Sequence, residues 1–215
     1  MRAFLVILGA LVALLGAGCA ASGFGTYRAV DADGYISSDA GHVETATGAF
    51  VVRTSEVEDR SDDDGFREGR VRIRVGAERE DGGAVFIGIG RSDEVDEFLR
   101  GTSFELIEAV EFNPLRLEGL IRPGTGMSVS PVGRSTWVSS TAGTGRQELD
   151  WPVARGEHTL VVMNAEGSPG VALQADMGVK FPYLRGFGIG LMVFGVVLLI
   201  AGACLVILPL RHRGE

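Results

Sequence analysis

"RVRIRVGAEREDGGAVFIGIG", Arg70–Gly90, is the stretch whose reading decides the fold class. Its first six residues alternate strictly, with Val71, Ile73 and Val75 on one side and Arg70, Arg72 and Arg74 on the other. Successive side chains of a strand point to opposite faces, so this pattern predicts a strand with one face buried and one in water. Asp81, Gly82 and Gly83 supply turn backbone, and "AVFIGIG", Ala84–Gly90, reads as the next strand. The two segments are expected to pair as a hairpin. Further strands are expected in "GAFVVRTSEV" from Gly48, "SFELIEAVEF" from Ser103, "TWVSST" from Thr136, "RQELDW" from Arg146, "HTLVVMN" from His158 and "GVALQADMGV" from Gly170. Short strands at this spacing, separated by Gly-rich turns, predict a mainly β domain, a jelly-roll-like β-sandwich.

One helix is expected among the strands. "SDEVDEFLRG", Ser92–Gly101, opens on a residue suited to capping, carries acids in its first turn and closes on Arg100 and Gly101. Val95, Phe98 and Leu99 share one of its sides. Asp93, Glu94, Asp96 and Glu97 are read as acids favoured by the helix dipole rather than as a metal or catalytic cluster. Trp137 and Trp151 are read as core residues of the sandwich rather than as sugar-stacking platforms.

Outside this domain the composition changes. After Arg2 the next charge is Arg28, and after Arg185 the next is Arg211, so a run of 25 uncharged residues brackets each side of the chain. About 20 apolar residues cross a bilayer as a helix, so each run is long enough to span. The segregation also explains how a chain with 22% charged residues reaches a mean hydropathy of +0.22. The expected organisation is a membrane helix or signal peptide over residues 1–23, an extracytoplasmic domain over 24–183, a membrane helix over 184–210 and a cytoplasmic tail over 211–215. Arg211 and Arg213 after the second run keep the C-terminus inside; Arg2 does the same for the N-terminus if the first span is retained.

The fate of the first span turns on "LLGAGCAAS", Leu14–Ser22. Gly18 and Cys19 match a lipobox, whereas Gly16 stands where an aliphatic residue is wanted. Ala3–Ala21 is longer than the 7–15 residues of an ordinary secretory core. A retained signal anchor is the preferred reading, with a cleaved signal and a lipoprotein as alternatives, and all three export the middle of the chain. Cys19 and Cys204 belong to opposite ends of the two spans and cannot be bridged.

With Arg2, Arg185, Arg211, Arg213 and Glu215 set aside, the exported part has 16 basic and 27 acidic residues, a net charge of −11. Such a surface does not recruit nucleic acid or anionic headgroups. A GxSxG elbow and an HExxH helix are absent, and Lys180 lies in no phosphate-binding loop. His42 and His158 are read as ordinary surface histidines. In "DRSDDDGFREG", Asp59–Gly69, residues Asp62, Asp63 and Asp64 are weak candidates for a metal, lacking the spacing of a calcium loop. "DADG", Asp31–Gly34, reads as a turn. No cofactor and no catalytic residue is expected.

"VFIGIGRSDEVDEFLRG", "STWVSSTAGTGRQELDWPVARGEHTLVVMNAEGSPGVAL" and the Gly-rich closing span together resemble a family of uncharacterised actinobacterial membrane proteins. The resemblance implies an exported β-rich domain between an N-terminal and a C-terminal span, and it implies no activity. The function expected is therefore a membrane-anchored binding or scaffolding protein of the cell envelope, with an envelope protein or wall polymer as partner. An envelope glycan hydrolase working through paired carboxylates, or an accessory subunit of a membrane complex, are the alternatives.

The spans themselves carry a pattern. Gly9, Gly16 and Gly23 recur every seven residues with Ala13 and Ala20 between them, and Gly188, Gly195 and Gly202 repeat the step. A stripe of small residues lets two backbones approach closely in a bilayer. The expectation is an antiparallel pair within one chain, with Gly16 crossing Gly195.

Overall fold

The computed structural model describes residues 2–54, 71–125, 129–181 and 183–211. The chain divides into two compact units, Ser37–Lys180 and the combination of Met1–Ile36 with Phe181–Glu215.

The larger unit is mainly β and is built from two sheets. One has the order β1 (Tyr35–Ser37), β11 (Val171–Lys180), β4 (Arg72–Arg79), β9 (Gln147–Pro152), with β2 (Gly41–Thr45) also on β11. The other runs β7 (Leu115–Arg122), β6 (Phe104–Phe112), β3 (Ala49–Thr54), β10 (His158–Asn164), β5 (Val85–Arg91), β8 (Trp137–Gly143). Its β3–β6 pair is parallel and its other pairs are antiparallel. The inner faces meet in a common core: Val75, Leu149, Trp151 and Leu173 from the first sheet lie against Phe50, Ile87, Ile89, Leu160 and Val162 from the second.

The hairpin expected from Arg70–Gly90 does not form. β4 pairs with β11 and β9, whereas β5 pairs with β10 and β8, so the connection through Asp81–Gly83 carries the chain from one sheet to the other. The physical reason is in the side chains. β4 alternates arginine with aliphatic residues and suits a sheet with one wet face. β5 is apolar or glycine from Val85 to Gly90 and is buried at all those positions, so it suits a strand covered on both faces. Turn residues set where the chain reverses; which layer it reverses into is set by the next strand's pattern.

The second cover is helix α2 (Ser92–Phe98). Val95 and Leu99 pack with Ala49, Val51, Phe86, Val161 and Met163 in a second core on the far side of the six-stranded sheet. β10, at the middle of that sheet, is consequently buried at every one of its seven positions. The helix begins one residue earlier than a Ser92 cap would require. Arg91 occupies the cap position, and no side chain caps the helix. Ser92 is instead buried, its Oγ 2.9 Å from Oγ1 of Thr159 on β10. Strands β1 and β7 were not expected from the sequence.

Helix α1 (Arg2–Ala29) and helix α3 (Leu184–Arg211) make up most of the other unit. α1 continues past Gly23, where a span was expected to end.

Truncating a β5 side chain at the shared core should cost far more than truncating one on the edge strand. Ile87→Ala removes a fully buried branched side chain and is expected to lower unfolding stability by about 2–5 kcal/mol, with Val138→Ala on β8 within about 0.5 kcal/mol of the parent. Chemical denaturation of the full chain in detergent, followed by near-ultraviolet circular dichroism, checks this. Equal effects would show that β5 is not central.

Candidate functional site

The eight small residues singled out in the two spans all lie where α1 meets α3. A Cβ placed on Gly16 would stand 2.7 Å from the Gly195 carbonyl oxygen and 2.6 Å from the Leu199 nitrogen. One on Gly9 would meet the Gly202 oxygen at 2.9 Å, and one on Gly23 the Gly188 oxygen at 2.6 Å. From α3, Gly202 faces the Ala13 backbone at 2.6 Å, Gly195 abuts Ala20, and Gly188 faces the Gly23 oxygen at 3.2 Å. Distances under 3.0 Å leave no room for a side chain, so these backbones touch because glycine lacks one. Gly18, Gly25, Gly186 and Gly190 in the same helices meet nothing. The contact therefore follows the seven-residue register rather than glycine content. On the flank of α1, Leu11, Leu14, Leu15, Gly18, Cys19, Ser22 and Leu191 line a shallow apolar groove of about 430 Å³. Cys19 and Cys204 are free thiols.

The β unit carries an ordered charge network on the outer face of the first sheet. Arg72 Nε donates to Asp150 at 2.8 Å, and Arg74 lies 3.2 Å from Glu148 and 3.8 Å from Asp150. Next along, Arg146 meets both oxygens of Asp176, at 2.6 and 2.9 Å, which holds the guanidinium above its ordinary pKa. Gly76 makes room for it, since a Cβ there would lie 2.7 Å from Asp176 Oδ1 and collide with Arg146.

A second cluster fastens two connections together. Arg79 donates to Asp81, to Glu166 at 2.7 Å and to the Ala84 carbonyl at 3.4 Å. Hydrogen bonding to Asp81 first, then Glu166, raises the Arg79 pKa, and Arg79 and the Gly83 N–H lower that of Asp81. Burial pushes the Glu166 carboxyl upward, but the donors Arg79, its own backbone and Ser168 outweigh it and leave the value lowered. Beside it Asn164, almost fully buried, donates to the Ser168 and Gly170 carbonyls at 3.0 and 3.2 Å and fixes the turn between β10 and β11. His42 on β2 sits 2.7 Å from Glu80 and 3.5 Å from Glu44. The Glu80 hydrogen bond is the main reason its pKa is raised, and the same bond with one from Gln174 lowers that of Glu80.

These arrangements satisfy carboxylates with cations. Every carboxylate whose pKa is displaced among the described residues moves downward, opposite to what a general acid requires. Asp93, Asp96 and Glu97 each meet an arginine, respectively Arg91, Arg53 and Arg100. Among the described residues, no three His, Cys, Asp or Glu side chains gather where they could hold a metal. Asp62, Asp63 and Asp64 lie outside the described residues. Asp31–Gly34 is a turn, with Gly34 at φ 91° and the Tyr35 N–H donating to Asp31 Oδ1 at 2.7 Å.

One aromatic neighbourhood differs from expectation, that of His158, whereas Trp137 packs against the second core as expected. His158 is not a surface histidine: it is buried, packs tilted against Trp151 with ring centroids 4.9 Å apart and lies 3.1 Å from the Gly156 oxygen through Nδ1. Its β10 parity with Leu160 and Val162 points it inward, a signal readable from the sequence. Trp137 packs on Phe86 and Phe98 at 4.9 and 5.3 Å and donates its N–H to the Pro131 carbonyl. The pairings of Arg79 with Glu166 and of Arg146 with Asp176 join residues 87 and 30 positions apart, and no local pattern announces them.

Two measurements probe these sites. Gly195→Leu should part the helices, abolishing a short bis-maleimide cross-link between cysteines placed at positions 13 and 199 in a background without Cys19 and Cys204; a surviving cross-link would sink the seam. The His42–Glu80 pair should make stability weakly pH-dependent. His42 contributes fully below 6.5 and loses its contribution as pH rises through its elevated folded value; Glu80 contributes above 4.5 and loses its share as pH falls through its lowered one. NMR titration should place His42 above 6.5, and Glu80→Gln should bring it back down. No response to Glu80→Gln would show that the pair does not form in solution.

No family model and no curated protein matches the chain. Among solved structures, the globular domain of the zebrafish complement 1qA protein aligns with 63% of this chain and 98% of that one, at 10% identity and a TM-score of 0.22.

Proposed function

We propose that the chain is a two-pass membrane protein that holds a jelly-roll-like β domain outside the cytoplasm as a binding or scaffolding module of the cell envelope. The observation that carries this reading is how the two long helices pack. Each is long and apolar enough to cross a membrane, 26 residues at Phe4–Ala29 and 24 at Leu184–Ile207. They bury glycine and alanine against each other and turn Leu14, Leu15, Phe187, Phe194 and Ile200 outward. In water that arrangement is inside out, since leucine and phenylalanine should be the buried residues; in lipid it loses nothing.

The positions of Arg2 and of Arg211 and Arg213 support both termini inside, with the span at Cys19 retained. The actinobacterial membrane-protein resemblance supports the same layout. A net charge of −11 on the exported part supports a protein or wall partner and weighs against nucleic acid. The hydrolase reading has less behind it, because Glu80, Asp81 and Glu166 have lowered pKa values where a general acid needs a raised one.

Protease added to cells with opened walls should cut between residues 24 and 183 and spare a tag placed after Arg211. Protection of the middle segment would overturn the topology. The residues before Cys19 should stay attached to the chain and Cys19 should carry no lipid; acyl chains on Cys19 would make the chain a lipoprotein.

A further inference from the structure

We propose that Arg28 and Arg185 form a binding site for the phosphodiester group of a membrane phospholipid, on a platform made by Phe24 and Tyr27. The inference rests on the membrane reading above and deepens it.

Depth comes first. The crossing of Gly16 with Gly195 marks the middle of the helical pair, and about 10 residues on either side, at about 1.5 Å each, fill a hydrocarbon core of about 30 Å. That places Tyr27, Arg28 and Arg185 at one boundary of the core, the end where Gly23 meets Gly188. The residues found there are those of a membrane interface. Phe24, Tyr27 and Tyr183 are exposed, Tyr183 at 73%. Aromatic rings with a polar tip collect at this depth, and so do arginines whose stems reach through it.

The two guanidinium groups are held in place. Arg28, one turn after Phe24 on α1, has its Cζ 5.0 Å from the centre of that ring. Arg185, in the first turn of α3, lies 5.3 Å from the centre of the Tyr27 ring, donates to the Ala32 carbonyl at 3.0 Å and reaches the Tyr27 hydroxyl at 3.5 Å. Their partners are thus rings, a carbonyl and a phenol, and among the described residues neither is paired with a carboxylate. This sets them apart from Arg72, Arg74, Arg79 and Arg146, each of which answers an acid. A guanidinium has five donors in a planar fork that matches two oxygens of a phosphate, and stacking on a ring leaves the fork edge open to an in-plane acceptor. At the hydrocarbon boundary the acceptor present at highest concentration is the lipid phosphate. The exported part is acidic overall, so the site's selectivity is for the phosphodiester itself, which zwitterionic and anionic lipids share, rather than for lipid charge.

The test uses the full chain, extracted in mild detergent and examined by native mass spectrometry. The parent should retain a phospholipid through washing, and R28Q/R185Q should lose it by about tenfold or more, with R28K/R185K intermediate because charge remains but the fork is gone. A phosphate-free glycolipid should not be retained, and inorganic phosphate should not displace the lipid. Overturning results are equal retention in R28Q/R185Q, equal retention of the glycolipid, or displacement by inorganic phosphate. Circular dichroism and the cross-link between positions 13 and 199 show whether the variant keeps its helical pair; if it does not, R28K/R185K alone decides, and retention at the parent's level refutes the site. An alkaline carbonate wash separates the two readings. A chain stripped from membranes by carbonate refutes the membrane reading and this one with it, whereas a chain that stays and ignores R28Q/R185Q refutes the lipid site alone.

Discussion

Burying the middle of the six-stranded sheet on both faces is the constraint from which the architecture of the β unit follows. β10 is buried at seven positions in succession, and β5 beside it at six. Strands of that kind cannot sit at a wet surface, so one face requires a second sheet and the other requires α2. Period two then divides the labour, with Leu160 and Val162 toward the opposite sheet and Val161 and Met163 toward the helix. Even the polar side chains of β10 obey it. Thr159 finds Ser92 on the helix side, and His158 finds Trp151 on the sheet side. Each is tolerated because a partner is supplied from the layer it faces.

The opposite sheet solves a different problem. One of its faces is wet, and there Arg72 and Arg74 of β4 and Arg146, just before β9, lie across Glu148 and Asp150 of β9 and Asp176 of β11. Exposed pairs of this kind contribute little each, typically about 0.2–1 kcal/mol. Their larger effect is on register, because sliding β9 by one residue against β4 would turn these acids inward and bring Leu149 and Trp151 out. Arg79 acts at the sheet's end. By holding Asp81 and Glu166 together it ties the crossing between layers to the turn that follows β10.

Fold class and most strands are legible in the sequence because alternation is a local signal. β4, β8, β9 and the apolar β10 are visible in their own residues. What is not legible is partnership. The β4–β5 connection has the turn chemistry of a hairpin, and only the contrast between an amphipathic strand and one apolar throughout indicates that the two belong to different layers. β7 was hidden for a related reason: Gly119 interrupts its pattern, yet that glycine is needed where the Leu106 carbonyl would lie 2.6 Å from any Cβ. Ser92 shows the limit of end signals, since a residue typed as a cap was claimed by Thr159 from a strand 67 positions away. The seam between the helices was readable because a register of seven is itself local, and the antiparallel topology aligned two such registers. The charge clusters were not readable, because each joins connections distant in the sequence.

The two units use glycine for one purpose, and under the proposed membrane reading they do so under opposite solvent rules. In the β unit, Gly88 lets the Phe86 and Trp137 rings lie over the strand, where burial of the rings supplies the gain, and Gly76 lets Arg146 reach Asp176; in both cases the absent Cβ admits a large side chain. In the helical pair, Gly16, Gly195 and Gly202 admit a backbone instead. A side chain buried between those helices would gain nothing over lipid contact, whereas two backbones in contact gain dispersion along the whole seam. The difference in what fills the space beside glycine is what the proposed membrane setting of the helical pair calls for. In that setting the outward leucines and phenylalanines of α1 and α3 face lipid.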